Sequence, residues 1–435
     1  MPKAIVIAGY GLEGQSAYKY LSRLYPSAKF TIYDQKATPK MPIPKGVELV
    51  CGDEVDFGAI KADMTIRTPS ISPKRFSSEA HVTSVTNLFF ERCPAPIIGV
   101  TGTKGKGTTC GLITAILQAA GNTVHLVGNI GKPALDTLNQ IKSTDIVVYE
   151  LSSFQLWDMQ YSPKVAVVLM VEPDHLDIHI DQKEYVESKA NLPRLQGPGD
   201  ITVCHPTNKL SNQIAKTSQG KIVHYGVVDD GGAYVKSNNF FVHNQMICPV
   251  SDLTIVGQHN VENACAAITA VLSFTSSWPA IARGLKDFTG LPHRLKYLRT
   301  LRGVDYYDDN YSTQPEAAIV AVRAITQPKI LIAGGHDKGA DFTHLADEIQ
   351  KSGSVKKILL IGDTANKIKT ALERVGFTKT EIIQGKNLKE IVVLAQSYAT
   401  SGDVVLMSPA CASFGLFRDA TDRGEQFIQA VAELK

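Results

Sequence analysis

What this chain lacks narrows its possibilities before any motif is read. Its seven cysteines, at 51, 93, 110, 204, 248, 265 and 411, include no C-x-x-C pair, which argues against a zinc cluster or a disulfide framework and for a reducing cytoplasm. No apolar run reaches the roughly 18 residues that a membrane-crossing helix needs, and the opening MPKAIVIAGYG has no signal-peptide cleavage pattern. Neither sign of charge prevails: 45 Lys and Arg against 42 Asp and Glu leave a formal +3, so the composition offers no reason for a nucleic-acid or membrane-surface partner. Fixed-period repeats and low-complexity segments are missing too. The expectation is a soluble, cytoplasmic, monomeric chain whose 435 residues divide into several domains and bury their cores without disulfides.

What is present alternates strand and helix. Ala4 to Ala8 reads as a buried strand feeding GYGLEG, whose Gly9, Gly11 and Gly14 suit a tight turn, a close backbone approach to phosphate and close helix packing. Asp34 closes the next apolar run, KFTIYD, twenty residues after Gly14, where an acidic side chain accepts from a ribose or base edge. After TPSISPKRF and a Pro cluster at 94 to 96, read as a linker, comes the strand PIIGV and then the loop GTKGKGTT. A helix from about 110 to 120 follows it. Further apolar strands are DIVVYEL and KVAVVLMV, residues 205 to 255 read as short strands and turns, and a helix resumes at Val261. From Leu291 a third unit places DYYDD, KILIAGG, KILLIGD and DVVLMSP in another parallel sheet. The fold class is therefore α/β, in three units at 1–92, 93–289 and 290–435.

The second glycine loop is the more informative. Between a strand and a helix, the backbone N–H groups of Gly102, Thr103, Lys104, Gly105, Lys106, Gly107, Thr108 and Thr109 would surround a phosphate, with Lys106 reaching the terminal phosphates. It departs from G-x-x-x-x-G-K-[ST] twice: Val100 stands at the first glycine, and Gly107 replaces the hydroxyl that reaches Mg²⁺, a contact left to Thr108 or Thr109. Glu150, at the end of DIVVYE, and His175, after KVAVVLMV, fall on the same sheet edge, where α/β folds gather their ligands. Lys189 stands in the helix-compatible EYVESKANL. Two nucleotide-type loops fit a simple nicotinamide-dependent oxidoreductase poorly.

In order along the chain, GYGLEG, GTKGKGTT, GNIG (128–131), ELSSFQL (150–156), DHLD (174–177), GQHNVENA (257–264), GLPHR (290–294), GGHDKGADF (334–342) and SPACASF (408–414) resemble the Mur ligases, ATP-dependent amide-forming enzymes of peptidoglycan synthesis. The resemblance spans the whole chain and is strongest to the branch that adds glutamate to UDP-N-acetylmuramoyl-L-alanine. It implies an N-terminal Rossmann-like domain for the UDP moiety, a central P-loop ATPase and a C-terminal Rossmann-like domain that closes on the nucleotide. It implies further that Leu12, Glu13, Asp34 and Asn129 contact the UDP substrate, and that Lys106 binds the β- and γ-phosphates of ATP. Thr108, Glu150, His175 and a carbamylated Lys189 would hold two Mg²⁺ ions, and Asn263, Arg294 and Asp309 would surround adenine and ribose. Lys338 and Ser413 would receive the carboxylates of the amino acid. The chain departs from the family at Gly107, at Tyr311, where a lysine is usual, and at Ala420, where an aromatic residue is usual. The last two leave open whether D- or L-glutamate is added, since an L-glutamate-adding variant has a related ST-x-PEA signature. A folylpolyglutamate synthase-like ligase shares the GKG loop but has no use for a GYGLEG domain, and a non-catalytic nucleotide switch would not consume an amino acid.

Overall fold

A computed structural model describes residues 1–38, 42–52, 55–129, 132–385 and 387–435. The chain forms two compact units, Met1–Asp252 with Glu262–Asp287, and Leu253–Val261 with Phe288–Lys435.

The first unit carries two parallel sheets. In the N-terminal one the strands run Glu48–Cys51, Lys29–Asp34, Ala4–Ala8, Met64–Arg67, Val82–Ser84, all parallel. The chain starts in the middle and winds first one way and then the other, so a crevice opens beyond the end of Ala4–Ala8, where GYGLEG lies. Gly14 is required there, because a Cβ on it would lie 2.1 Å from the carbonyl oxygen of Gly9. The second sheet has six parallel strands in the order Lys221–His224, Ile201–Cys204, Val165–Val168, Ile97–Thr101, Ile146–Glu150, Val124–Gly128. Ile97–Thr101, Ile146–Glu150 and Val165–Val168 are buried throughout, as their unbroken apolar runs require once helices cover both faces. Its switch point lies beyond Ile97–Thr101, the strand that feeds the second glycine loop.

The helix after that loop begins earlier than its apolar pattern indicates, at Lys106 rather than near 110, and runs to Ala119. The polar stretch after residue 205 forms a small antiparallel sheet of Tyr234–Lys236, Asn239–Val242 and Gln245–Pro249 besides the strand Lys221–His224. The helix expected from Val261 spans Gln258–Val271.

The second unit holds one six-stranded sheet, ordered Lys296–Leu301, Val304–Asp308, Val404–Met407, Lys329–Gly334, Val355–Ile361, Thr380–Ile382. It is not wholly parallel as expected, since Lys296–Leu301 and Val304–Asp308 form an antiparallel hairpin at one edge. Lys296–Leu301 is half exposed and interrupted by Lys296, Arg299 and Thr300, so it lacks the apolar run that marks the inner strands. Among the described residues no helix is long and apolar enough to cross a membrane.

Candidate active site

The glycine loop at the switch point of the six-stranded parallel sheet is shaped by backbone and not by side chains. Gly105 caps the helix Lys106–Ala119 with φ 84°, a left-handed conformation, and a Cβ there would come within 2.4 Å of Oδ1 of Asn263. Thr103 ties the loop to the neighbouring strand end: its N–H donates to the Met170 carbonyl (2.9 Å) and its hydroxyl to that of Glu172 (3.0 Å). The ammonium of Lys106 donates to the carbonyls of Gly102 and Thr103, both at 3.0 Å, which folds it back over the loop. Thr108 is half-buried in the first helical turn, whereas Thr109 is fully buried with its hydroxyl 3.4 Å from Oδ1 of Asn263. Asn263 thus packs on the glycine loop, and Lys104 is exposed.

A cavity of about 410 Å³ opens beside this loop. Gly102, Lys106, Asn129, His175 and Lys189, all singled out in the sequence, share its lining. Glu150 is not part of the lining: it is 4 % exposed at the end of its strand, and its Oε1 accepts at 3.2 Å from the amide of Asn129, which does line the cavity. Only Gly128 and Asn129 of the GNIG motif can be placed, because Ile130 and Gly131 lie outside the described residues.

Lys189 has the least ordinary setting of the group. It is 1 % exposed on the helix Gln182–Ala190, with Nζ 3.0 Å from the Gly102 carbonyl, 3.3 Å from the Thr101 hydroxyl and 4.7 Å above the Tyr185 ring. Burial, with Lys106 nearby, holds its amine well below the ordinary lysine value, and Asp174 opposes the shift. His175 takes φ 54°, unusual for a residue with a side chain, and half-exposes its ring 5.0 Å from that of Phe154.

Sequence reasoning did not single out Pro69 and Ser70, from the stretch leading toward the proposed linker, or Tyr185, and Ser152, Ser153 and Phe154 entered only as part of the motif ELSSFQL, without a role. The capping-box spacing of Ser152 and Gln155 was a legible sign that the chain turns into a helix there.

The other predicted residues are placed as follows. The Asp34 carboxylate accepts from Tyr10 N (2.7 Å) and Lys36 N (2.9 Å), so it braces the GYG turn from the next strand, and Leu12 is exposed. The carboxylate of Glu13, expected among the contacts to the UDP substrate, accepts from Nε2 of Gln155 at 3.0 Å.

In the second unit Asp309 is buried, with Oδ1 accepting from Leu295 N at 3.1 Å and Oδ2 from Ser408 Oγ at 2.7 Å and also from Ser312 Oγ. Arg294 lies 5.7 Å over the ring of Tyr311, whose hydroxyl is 2.9 Å from that of Thr421. Lys338 is exposed 5.1 Å over Phe414, and Ser413 is buried.

Burial pushes the Asp309 carboxyl up to about 7, against the lowering influence of Ser312, Ser408, the Leu295 amide and Arg294. The folded state therefore holds a proton that the unfolded chain has released, and stability should fall as pH rises from about 4 to 7. Asp309→Asn is expected to flatten that fall in thermal denaturation between pH 5 and 8. An unchanged slope would show that Asp309 does not hold the proton.

The chain belongs to the Mur ligase family. Its residues 100–271 match the Mur ligase middle domain and 293–411 the Mur ligase glutamate ligase domain. It is 33% identical over 449 residues to a UDP-N-acetylmuramoylalanine–D-glutamate ligase of Clostridium tetani, covering 99% of this chain and 97% of that one. To the ligase of the same name from Clostridium perfringens it is 34% identical over 450 residues, covering 99% and 96%. Its fold is similar to the crystal structure of the UDP-N-acetylmuramate-alanine ligase of Thermotoga maritima, with TM-score 0.64 at 16% identity over the full length of both.

Proposed function

We propose that this protein is a cytoplasmic ATP-dependent ligase that joins glutamate, the D-enantiomer first, to UDP-N-acetylmuramoyl-L-alanine through an acyl phosphate in peptidoglycan precursor synthesis. The observation that carries the reading is the single cavity lined by Lys106, Asn129, His175 and Lys189 beside the glycine loop. In this reading residues 1–92 bind the UDP substrate, 93–289 bind ATP, and 290–435 receive the amino acid and close on the nucleotide.

The loop amides and Lys106 hold the β- and γ-phosphates, and the alanyl carboxylate of the substrate attacks the γ-phosphorus, forming an acyl phosphate and ADP. The glutamate amine then attacks the acyl carbon, loses a proton and expels inorganic phosphate, leaving an amide. The loop amides and Lys106 neutralise charge on the transferring group, and enclosure keeps water from the acyl phosphate. Lys338 and Ser413 donate to the glutamate carboxylates. For Mg²⁺ the donor set fits: Thr108, Glu150 and His175 offer oxygen and imidazole ligands, and a carbamate on Lys189 would add an anionic oxygen pair. The ion, when bound, supplies charge neutralisation at the phosphates. Carbamylation requires an unprotonated amine to add to CO₂ with loss of a proton, and the burial of Lys189 favours that form.

The second reading, addition of L-glutamate, draws on Tyr311 and Ala420, which remove a cation and a ring from the usual amino-acid pocket. Release of phosphate from ATP, Mg²⁺ and UDP-N-acetylmuramoyl-L-alanine with each glutamate enantiomer decides between them. The expected result is release that requires both the UDP substrate and D-glutamate. Preference for L-glutamate would select the second reading, and activity with neither would overturn both.

A further inference from the structure

The segment that forms one wall of the cavity, Ser152 to Phe154, is not held by its own sheet alone. Gln155, 1 % exposed, accepts through Oε1 from the N–H of Ser152 (2.9 Å) and from its hydroxyl (3.1 Å), so its carboxamide oxygen fixes the start of the short helix Ser153–Leu156. That leaves only Nε2 to point elsewhere, and it donates to Oε1 of Glu13, in the first turn of the helix Leu12–Leu24, at 3.0 Å. The second carboxylate oxygen of Glu13 is buried and has no hydrogen-bond partner among the described residues.

Glu13 stands inside GYGLEG, in the turn next to which a diphosphate was expected, where a negative charge serves no anion. Its bond to Gln155 gives that charge a use: only an acceptor at this position keeps the carboxamide in the orientation that presents its oxygen to Ser152. The charged group beside it is Arg67, which is attractive and itself paired to Asp158, and the buried, neutral phenol of Tyr149 is the other titratable neighbour.

We propose that Glu13 is a positioning residue for the UDP-linked substrate, acting through Gln155 to set the polar Ser152–Ser153 wall of the cavity. The inference rests on the ligase reading above for the identity of that substrate. It also makes substrate affinity pH-dependent. Burial pushes the Glu13 carboxyl up to about 7, with Gln155 and Arg67 opposing, so acidification below neutrality replaces a charge-assisted hydrogen bond by a weaker neutral one.

The test pairs Glu13→Ala with Glu13→Gln, whose amide oxygen can still accept from Gln155 but cannot titrate. In Glu13→Ala the KM for UDP-N-acetylmuramoyl-L-alanine should rise about fivefold, with kcat and the KM for ATP within about twofold of wild type. Glu13→Gln should restore the KM at pH 8 and lose the part of its rise between pH 8 and 6 that wild type shows. Amide hydrogen exchange of residues 151–158, measured without substrates, should be faster in Glu13→Ala than in wild type and Glu13→Gln. Equal exchange in all three proteins overturns the proposal, as does an unchanged KM in Glu13→Ala or a pH dependence that Glu13→Gln retains. Should the wild type not turn over this UDP substrate with either glutamate, the ligase reading fails, and the exchange comparison by itself decides whether Glu13 orders the wall.

Discussion

Lys189→Ala is expected to lower turnover by at least about a hundred-fold, and a short-chain carboxylic acid in the assay is expected to restore part of it. The physical reason is the cost of the native side chain. An ammonium at 1 % exposure with Lys106 nearby has, among the described residues, no carboxylate as a hydrogen-bond partner, only the Thr101 hydroxyl and the Gly102 carbonyl. As an unprotonated amine it is tolerated, and as a carbamate it would face Lys106 with the opposite sign. Alanine at 189 leaves a space beside Lys106 that acetate or formate can enter, returning a carboxylate to the place of the carbamate. Lys189→Arg separates this from a simple need for positive charge, because a guanidinium stays protonated and forms no carbamate under these conditions. Full activity in Lys189→Arg, or a folded Lys189→Ala protein that no carboxylic acid revives, would sink the carbamate reading.

Arg67→Met is expected to destabilise the protein by about 3 kcal/mol. Arg67 ends the strand Met64–Arg67 and is fully buried. Its Nε donates to Asp158 Oδ2 at 2.8 Å and its Nη2 to Oδ1 of the same carboxylate, while Nη1 reaches the Ile71 carbonyl at 3.1 Å and both Nη atoms reach that of Phe154 at 3.2 Å. Methionine fills much of the volume and none of the hydrogen bonds, so one carboxylate and three carbonyls, those of Thr68, Ile71 and Phe154, lose their donor together. The value lies at the lower end for buried pairs because the Asp158 side chain keeps 23% of its exposure and can be partly solvated. Thermal denaturation of Arg67→Met, Asp158→Leu and the double variant measures the coupling. The double variant should be less destabilised than the sum of the singles, since it no longer strands a charge. Strict additivity, or a loss below about 1 kcal/mol for Arg67→Met, would mean that the pair does not clamp the segment. The same guanidinium holds the Phe154 carbonyl, so the variant should also loosen the cavity wall that Gln155 orders from the other side.

Arg67 and Glu13 illustrate where sequence reading stops. Both belong to the first 92 residues, yet both act on the segment 152–158, and nothing in period, capping signal or motif spacing connects positions separated by 91 and 142 residues. By contrast, the strands that end at Ala8, Thr101 and Glu150 announce themselves, because a parallel strand covered on both faces needs a continuous apolar run. The edge strand Lys296–Leu301 does not, because one side of it is free of such a demand.

The amino-acid sequence by itself determined the α/β class, the two glycine turns and the chemical kinds of group that could meet at the carboxyl edge of the central sheet. Local backbone requirements are written locally: glycine where φ is positive or a Cβ has no room, a capping box where a helix begins, a lysine in the first turn after a phosphate-type loop. Tertiary structure alone decided the protonation and orientation of those groups. It buried Lys189 beside Lys106, turned Glu13 away from solvent onto Gln155, and enclosed Asp309 among its own donors. Each of these depends on desolvation and on partners brought from distant parts of the chain, and both are properties of the packed molecule.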